Sequence, residues 1–343
     1  MTNYDGKKGC FACYFKWAES GQNTGYYECI FTACSKIWIY YGTGHAAAGQ
    51  DGGVYGRNKT AVGYDGLCLG VYSGITRQIA GHLPNSEGKV VGNGDDVIHS
   101  FEDIKKLKEF HVKKCPWLEK MKYMIDRMRE EEPDEPIYVI VHTPSSVAFT
   151  LMGAKPAFKA MVKNQDLYKE LERVVEDAVV ESCNKLIDYG VDFLWFPMPN
   201  FGGYCISRKS YETCISESNI RANKRIKEHG SNIIIHTCGL YDDRFDLVLK
   251  ESGDAWHISD TKTKKVKEEY GEHVALMGNI PCCSILMEGT EQKVYDYALQ
   301  ECLDGGYDGR FILSGDCDLS PLTPDENIVA AVRAAKDAEK ILF

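Results

Sequence analysis

The chain has no run of about 18 consecutive apolar residues, the length a helix needs to cross a bilayer. Its start, MTNYDGKKGCFACYF, has neither a hydrophobic h-region nor a small-residue cleavage site. No membrane span or secretory signal is expected, and the protein is read as cytoplasmic. Positive charge is in deficit: 40 Lys and Arg stand against 50 Asp and Glu, a formal net charge of −10. Nothing in that balance grips a phosphate backbone, so nucleic acid is not expected as a partner. The lysines of KEFHVKKCPWLEKMKYM alternate with apolar residues, as on an ordinary amphipathic helix. No Pro- or Ser-rich linker divides the 343 residues, and a hydrophobic content of 44% suffices for one large core. No Gly-x-Gly-x-x-Gly follows an apolar run, which removes the usual dinucleotide-binding signature.

Cysteine, by contrast, is abundant at 14 residues. Without a secretion signal these read as free thiols or metal ligands rather than a disulfide framework, in a reducing and even anaerobic setting. Cys10 and Cys13, in CFAC, lie near Cys29 and Cys34. The spacing is loose and lacks the strand and helix of a thioredoxin-like motif, so packing competes there with a second metal or redox site.

From about residue 136 one unit repeats: a short apolar strand, a polar loop, an amphipathic helix. The strands read IYVIVH (137–142), DFLWFPMP (192–199), NIIIHTC (232–238), AWHISD (255–260), VALMGN (274–279) and RFILSGDC (310–317). Their nearly unbroken apolar character is that of parallel strands covered on both faces. Between them, Leu167, Leu171, Val174, Val175, Ala178 and Leu186 form one helical stripe that Asp166 is placed to cap and Gly190 to end. A second helix is expected over 291–303. Such alternation fits a doubly wound sheet or an eight-stranded barrel. A seventh strand is expected within AVGYDGLCLGVY (61–72) and an eighth at SKIWIYYG (35–42). The N-terminal part is rich in Gly and Tyr, suited to cap a barrel end or to contribute contacts in a homo-oligomer.

The stretch SNIIIHTCGLYDD places a histidine and a cysteine two residues apart where a strand ends. Side chains at i and i+2 share a face, so His236 and Cys238 point the same way. Cys317 occupies the comparable place after FILSGD, and three ligands can converge from two strand ends. One nitrogen and two thiolates suit zinc and leave the fourth tetrahedral position open. By itself the spacing better suits a core histidine beside a core cysteine. Other residues at the same strand ends are rim candidates for substrate: His142, Met198, Asn200 and Asn279. Each has a packing or turn role as its alternative, as do vicinal Cys282 and Cys283. Tyr64, Tyr72 and the run Trp38–Tyr41 are candidate pocket aromatics on the same terms.

The C-terminal third carries, in order, HTCG, HISD, LMGNIPCCSILMEGTEQKV and ILSGDCDLSPLTPDENIVAAVRAAK. Together with AFTLMGAKPAFKAMVKN and LIDYGVDFLWFPMP upstream, it resembles the uroporphyrinogen decarboxylase superfamily, in particular its zinc-dependent, corrinoid-linked methyltransferase branch, from about residue 96 onward. The resemblance implies a (β/α)8 barrel of that type over residues 61–343, with residues 1–60 as an irregular extension or cap. It implies zinc held by His236, Cys238 and Cys317, with an acidic fourth ligand of some members falling near Asp260, and a Gly-Asn turn at Asn279.

The decarboxylase activity itself is disfavoured. The family's Met-Arg-Gln-Ala-Gly-Arg segment, which holds substrate carboxylates, has no counterpart, and SGITRQIAGHL offers only Arg77. No Asp-x-His-x-x-Gly corrinoid-ligand motif occurs, so cobalamin is expected on a separate corrinoid protein. Two transfers remain open: from a small methylated substrate, such as a methoxylated aromatic, to cobalt, and from methyl-cobalt to a thiol such as coenzyme M. The many aromatics lean toward the first. A non-catalytic zinc protein that merely binds a corrinoid protein is the third reading, opposed by the open coordination position.

Overall fold

Each apolar run identified after residue 136 forms a strand. The computed structural model describes residues 67–70, 76, 79, 98–107, 115–131, 133–320 and 322–343. Within them lie seven strands: β1 (Leu67–Gly70), β2 (Ile137–Ile140), β3 (Phe193–Pro197), β4 (Asn232–Thr237), β5 (Ala255–Ile258), β6 (Ala275–Ile280) and β7 (Phe311–Gly315). All neighbouring pairs are parallel and the sheet order is the chain order. Sequential parallel pairing with helices between strands is the topology of a (β/α) barrel, not of a doubly wound sheet, whose order reverses at a switch point. The expected seventh strand is β1. The expected eighth, residues 35–42, the extension over 1–60, Arg77, and the aromatics Trp38–Tyr41, Tyr64 and Tyr72 lie outside the described residues, as do Cys10, Cys13, Cys29 and Cys34.

The strands are apolar on both faces because both are buried. Tyr138, Ile140, Phe193, Trp195, Ile234, Ala255, Ala275, Met277 and Ile312 make one cluster on the inner face. Alternate residues such as Val139, Leu194, Ile235, Trp256 and Leu313 belong to the larger core beneath the helices. The helix Gln165–Asp188 buries Leu167, Leu171, Val175 and Leu186, as its stripe predicts, and Gly190 follows it at φ +96°. Asp166 lies inside the first turn instead of at the cap, which is Asn164; there its charge faces the positive end of the helix dipole. The second expected helix runs from Glu291 to Gly306. Among the described residues no helix is long and apolar enough to cross a membrane.

Under the outer face of β3 and β4 lies a buried polar network. The Glu251 carboxylate accepts hydrogen bonds from Tyr211 Oη (2.6 Å) and Asn219 Nδ2 (3.0 Å), and Ser145 Oγ donates to Asn219 Oδ1 (2.9 Å). Burial lifts the Glu251 carboxyl to about 8, against the pull of its two donors. A carboxyl raised on folding makes its contribution below the unfolded value and loses it as pH rises through the folded one. The native chain should therefore lose stability relative to Glu251→Gln between about pH 4.5 and 8, at up to about 1.4 kcal/mol per pH unit, and level off above. Paired thermal melts across that range check this. A constant difference in melting temperature would contradict it.

Candidate metal centre

Two strand ends bring three ligand residues together. His236 is near the end of β4, Cys238 one residue beyond it, and Cys317 two residues beyond β7. One ligand atom from each lies within 4.8 Å of the others, and Cys317 Sγ is 3.7 Å from His236 Nε2. The chain turns sharply after Cys238 because Gly239 takes φ +95°, a conformation open to a residue without Cβ. Cys317 is reached across an equally tight approach: a Cβ on Gly315 would stand 2.7 Å from Cys282 Sγ and 3.3 Å from the Cys317 carbonyl.

The histidine is presented in one tautomer. His236 Nδ1 lies 3.2 Å from the His257 carbonyl, which can only accept, so Nδ1 carries the proton and the Nε2 lone pair faces the sulfurs. The thiols are polarised as a pair. A hydrogen bond from Cys238 holds the Cys317 thiol below its ordinary value, and donating that bond, together with burial, raises Cys238. Asp316, beside Cys317, has its carboxyl raised by burial, and its Oδ1 accepts the Cys282 N–H at 2.9 Å.

Cys282 is 5% exposed and donates from Sγ to the Cys317 carbonyl at 3.0 Å, so it supports the ligand turn, while Cys283 is exposed. Asn279 is also a support: its Nδ2 donates to the Thr261 carbonyl at 2.6 Å. Asp260 is exposed at φ +49° and is outside the group whose ligand atoms lie within 4.8 Å. The structure therefore does not bring it in as a fourth ligand. His142 Nδ1 hydrogen-bonds with Thr76 Oγ1 at 3.2 Å, and burial lowers its imidazole to about 4, so it is neutral at pH 7. Asn200 is half-buried in the turn after β3. Met198 is no rim residue. It is fully buried on the outer side, its sulfur 3.4 Å from Asn219 Nδ2 and 3.9 Å from Tyr211 Oη, because inner-face residues of β3 carry odd numbers.

Two side chains that hold this end of the barrel were not singled out from sequence. The His257 ring stacks on that of His236 with centroids 4.3 Å apart, and its Nε2 lies 2.7 Å from the Gly315 carbonyl. Arg244, 1% exposed, donates to the carbonyls of Phe201 (2.7 Å) and Ile206 (3.1 Å), pairs with Asp243 at 2.8 Å, and lies over the rings of Tyr211 and Tyr241. It thereby ties the loop after β3 to the loop after β4. A signal existed for His257 alone: it shares the inner face with Ala255.

Comparison with known proteins adds four findings. The uroporphyrinogen decarboxylase (URO-D) family model matches residues 85–338. The methylcobamide:CoM methyltransferase MtaA of Methanosarcina barkeri is 26% identical over 211 residues, covering 60% of this chain and 59% of that protein. The methylated-thiol–coenzyme M methyltransferase of Methanosarcina mazei is 25% identical over 206 residues, 59% of this chain and 53% of that protein. The matched part of the chain thus spans less than two thirds of either relative. Among solved structures, a methyltransferase from Methanosarcina mazei shares the fold, with a TM-score of 0.64 at 22% identity over 82% of each chain.

Proposed function

The chain belongs to the uroporphyrinogen decarboxylase family, and from that premise we propose that it is a zinc-dependent methyltransferase acting between a corrinoid carried on a separate protein and the sulfur of a small thiol. The observation that carries this is the donor set at the barrel's open end: one tautomer-fixed imidazole and two sulfurs within 4.8 Å, with no fourth ligand in the group among the described residues. That set fits zinc, whose catalytic sites keep three protein ligands and an open position. His236, Cys238 and Cys317 would hold the ion. When bound, it supplies Lewis acidity that makes a coordinated thiol a thiolate at neutral pH.

The chain's own residues prepare that site. The His257 carbonyl orients His236, and Cys282 and Gly315 set the turn that presents Cys317. Both cysteines would bind the ion as thiolates. Two relatives whose names specify coenzyme M as methyl acceptor support a thiol substrate. The aryl-ether reading rested on aromatics that lie outside the described residues. Absence of an Asp-x-His-x-x-Gly motif supports a separate cobalt carrier.

The test is an assay panel on the zinc-loaded protein. Methylcobalamin is offered with coenzyme M or other small thiols, and cob(I)alamin with methoxylated aromatics. Thiol-dependent loss of methylcobalamin, with a methyl thioether formed, is expected. Turnover of the methoxyarenes alone would make the protein an O-demethylase, and no turnover in either arm would leave the non-catalytic reading.

A further inference from the structure

β5 contributes no member of the ligand group, yet its exit touches every element that does. Register places His257 opposite His236. The His257 carbonyl takes the His236 Nδ1–H and also a bond from Thr237 Oγ1 at 3.3 Å. Ser259 Oγ accepts the Gly239 N–H at 3.3 Å, just past Cys238. The His257 ring reaches across β6 to β7: Gly315 O can only accept, so Nε2 carries the proton and donates to it at 2.7 Å, two residues before Cys317. Trp195 holds the far side of the ring edge to face, with centroids 4.8 Å apart.

The remaining nitrogen is informative. His257 Nδ1 is buried and has no hydrogen-bond partner among the described residues. A ring serving only to fill space against Trp195 and His236 would be better supplied by Phe, which buries no orphan nitrogen. What Phe lacks is the N–H that meets Gly315.

We propose that His257 is a positioning residue of the metal centre: through one imidazole, stacked on His236 and donating to Gly315, it locks the β4 and β7 ligand arms at the spacing zinc requires. This rests on the zinc reading above and extends it to a residue that touches neither ion nor substrate. Outer partners of metal ligands typically set roughly 10- to 100-fold of metal affinity. The N–H is the operative feature, because freeing the Gly315 carbonyl lets the Gly315–Cys317 turn relax, whereas the His236 anchor is a backbone carbonyl that substitution does not remove.

The experiment compares His257→Phe, which keeps a flat ring and loses the donor, with His257→Gln, whose amide nitrogen reaches nearly the same place. Zinc affinity is measured on the full chain by competition with a chromophoric chelator, and the ligand field is read from the absorption of bound Co2+. The Phe variant should bind zinc roughly 10- to 100-fold more weakly with an altered Co2+ spectrum, and the Gln variant should recover most of both. His257→Leu takes the place of the Phe variant if that chain does not fold. Native affinity in the donor-less variant, with lowered thermal stability alone, would reduce His257 to packing. Equal losses in Phe and Gln would also overturn the proposal. A native chain that takes up no zinc would sink the functional reading itself, and the positioning role with it, an outcome distinct from both.

Discussion

Cys317→Ala should abolish zinc retention through purification while leaving the metal-free fold intact. The side chain makes one of three protein bonds to the ion. An apparent zinc-binding energy of roughly 10–16 kcal/mol shared among three or four donors implies a loss on the order of 10²- to 10⁴-fold in affinity. Methyl transfer should fall to background with it. The barrel should survive, because the contact that fixes this turn, Cys282 Sγ to the Cys317 carbonyl at 3.0 Å, is made to backbone. Zinc content after dialysis and a thermal melt of the metal-free protein separate the two effects. A variant that kept one zinc per chain and full activity would contradict the ligand assignment.

The second large effect is expected away from the metal. Arg244→Met should leave the Phe201 and Ile206 carbonyls without their donor in a dry environment. Each unsatisfied buried carbonyl costs about 1–3 kcal/mol, so destabilisation of about 3 kcal/mol and a fall in melting temperature on the order of 5 °C are expected. The loop after β3 would loosen over the loop that follows Cys238, to which it is bound by Gly203 N–H and Leu240 O at 2.6 Å. Zinc content should stay native while turnover falls by roughly tenfold or more, as misplaced substrate contacts typically cause. Cys317→Ala and Arg244→Met thus have opposite signatures: metal lost with the fold kept, and metal kept with the fold weakened. Unchanged stability in the arginine variant would show that the loop is held by other means.

The barrel after residue 136 was legible because parallel strands covered on both faces announce themselves as short unbroken apolar runs. The same property hid which side chains face inward, since both faces are apolar and no alternation remains to read. Met198 illustrates the consequence. Its place just past a strand suggested the mouth, whereas its parity puts it with Leu194 and Phe196 under the helices. In HISD the carboxylate drew the ligand assignment, but His257 is the residue whose ring stacks on His236, while Asp260 is exposed and takes a positive φ. The convergence of His236 and Cys238 with Cys317 was readable from i, i+2 spacing plus the common geometry of strand ends. Arg244 was not readable: its partners are carbonyls about 40 residues upstream, and backbone acceptors leave no mark in a sequence.

The central claim is an ion gripped by one nitrogen and two sulfurs that leaves room for a sulfur of the substrate. Zinc K-edge X-ray absorption on the loaded protein, with and without coenzyme M, addresses it directly. The account predicts two sulfurs at about 2.3 Å and one imidazole nitrogen at about 2.0–2.1 Å before thiol is added, and a third sulfur afterwards. A shell already filled by four protein donors, or one whose sulfur count does not change with thiol, would contradict it.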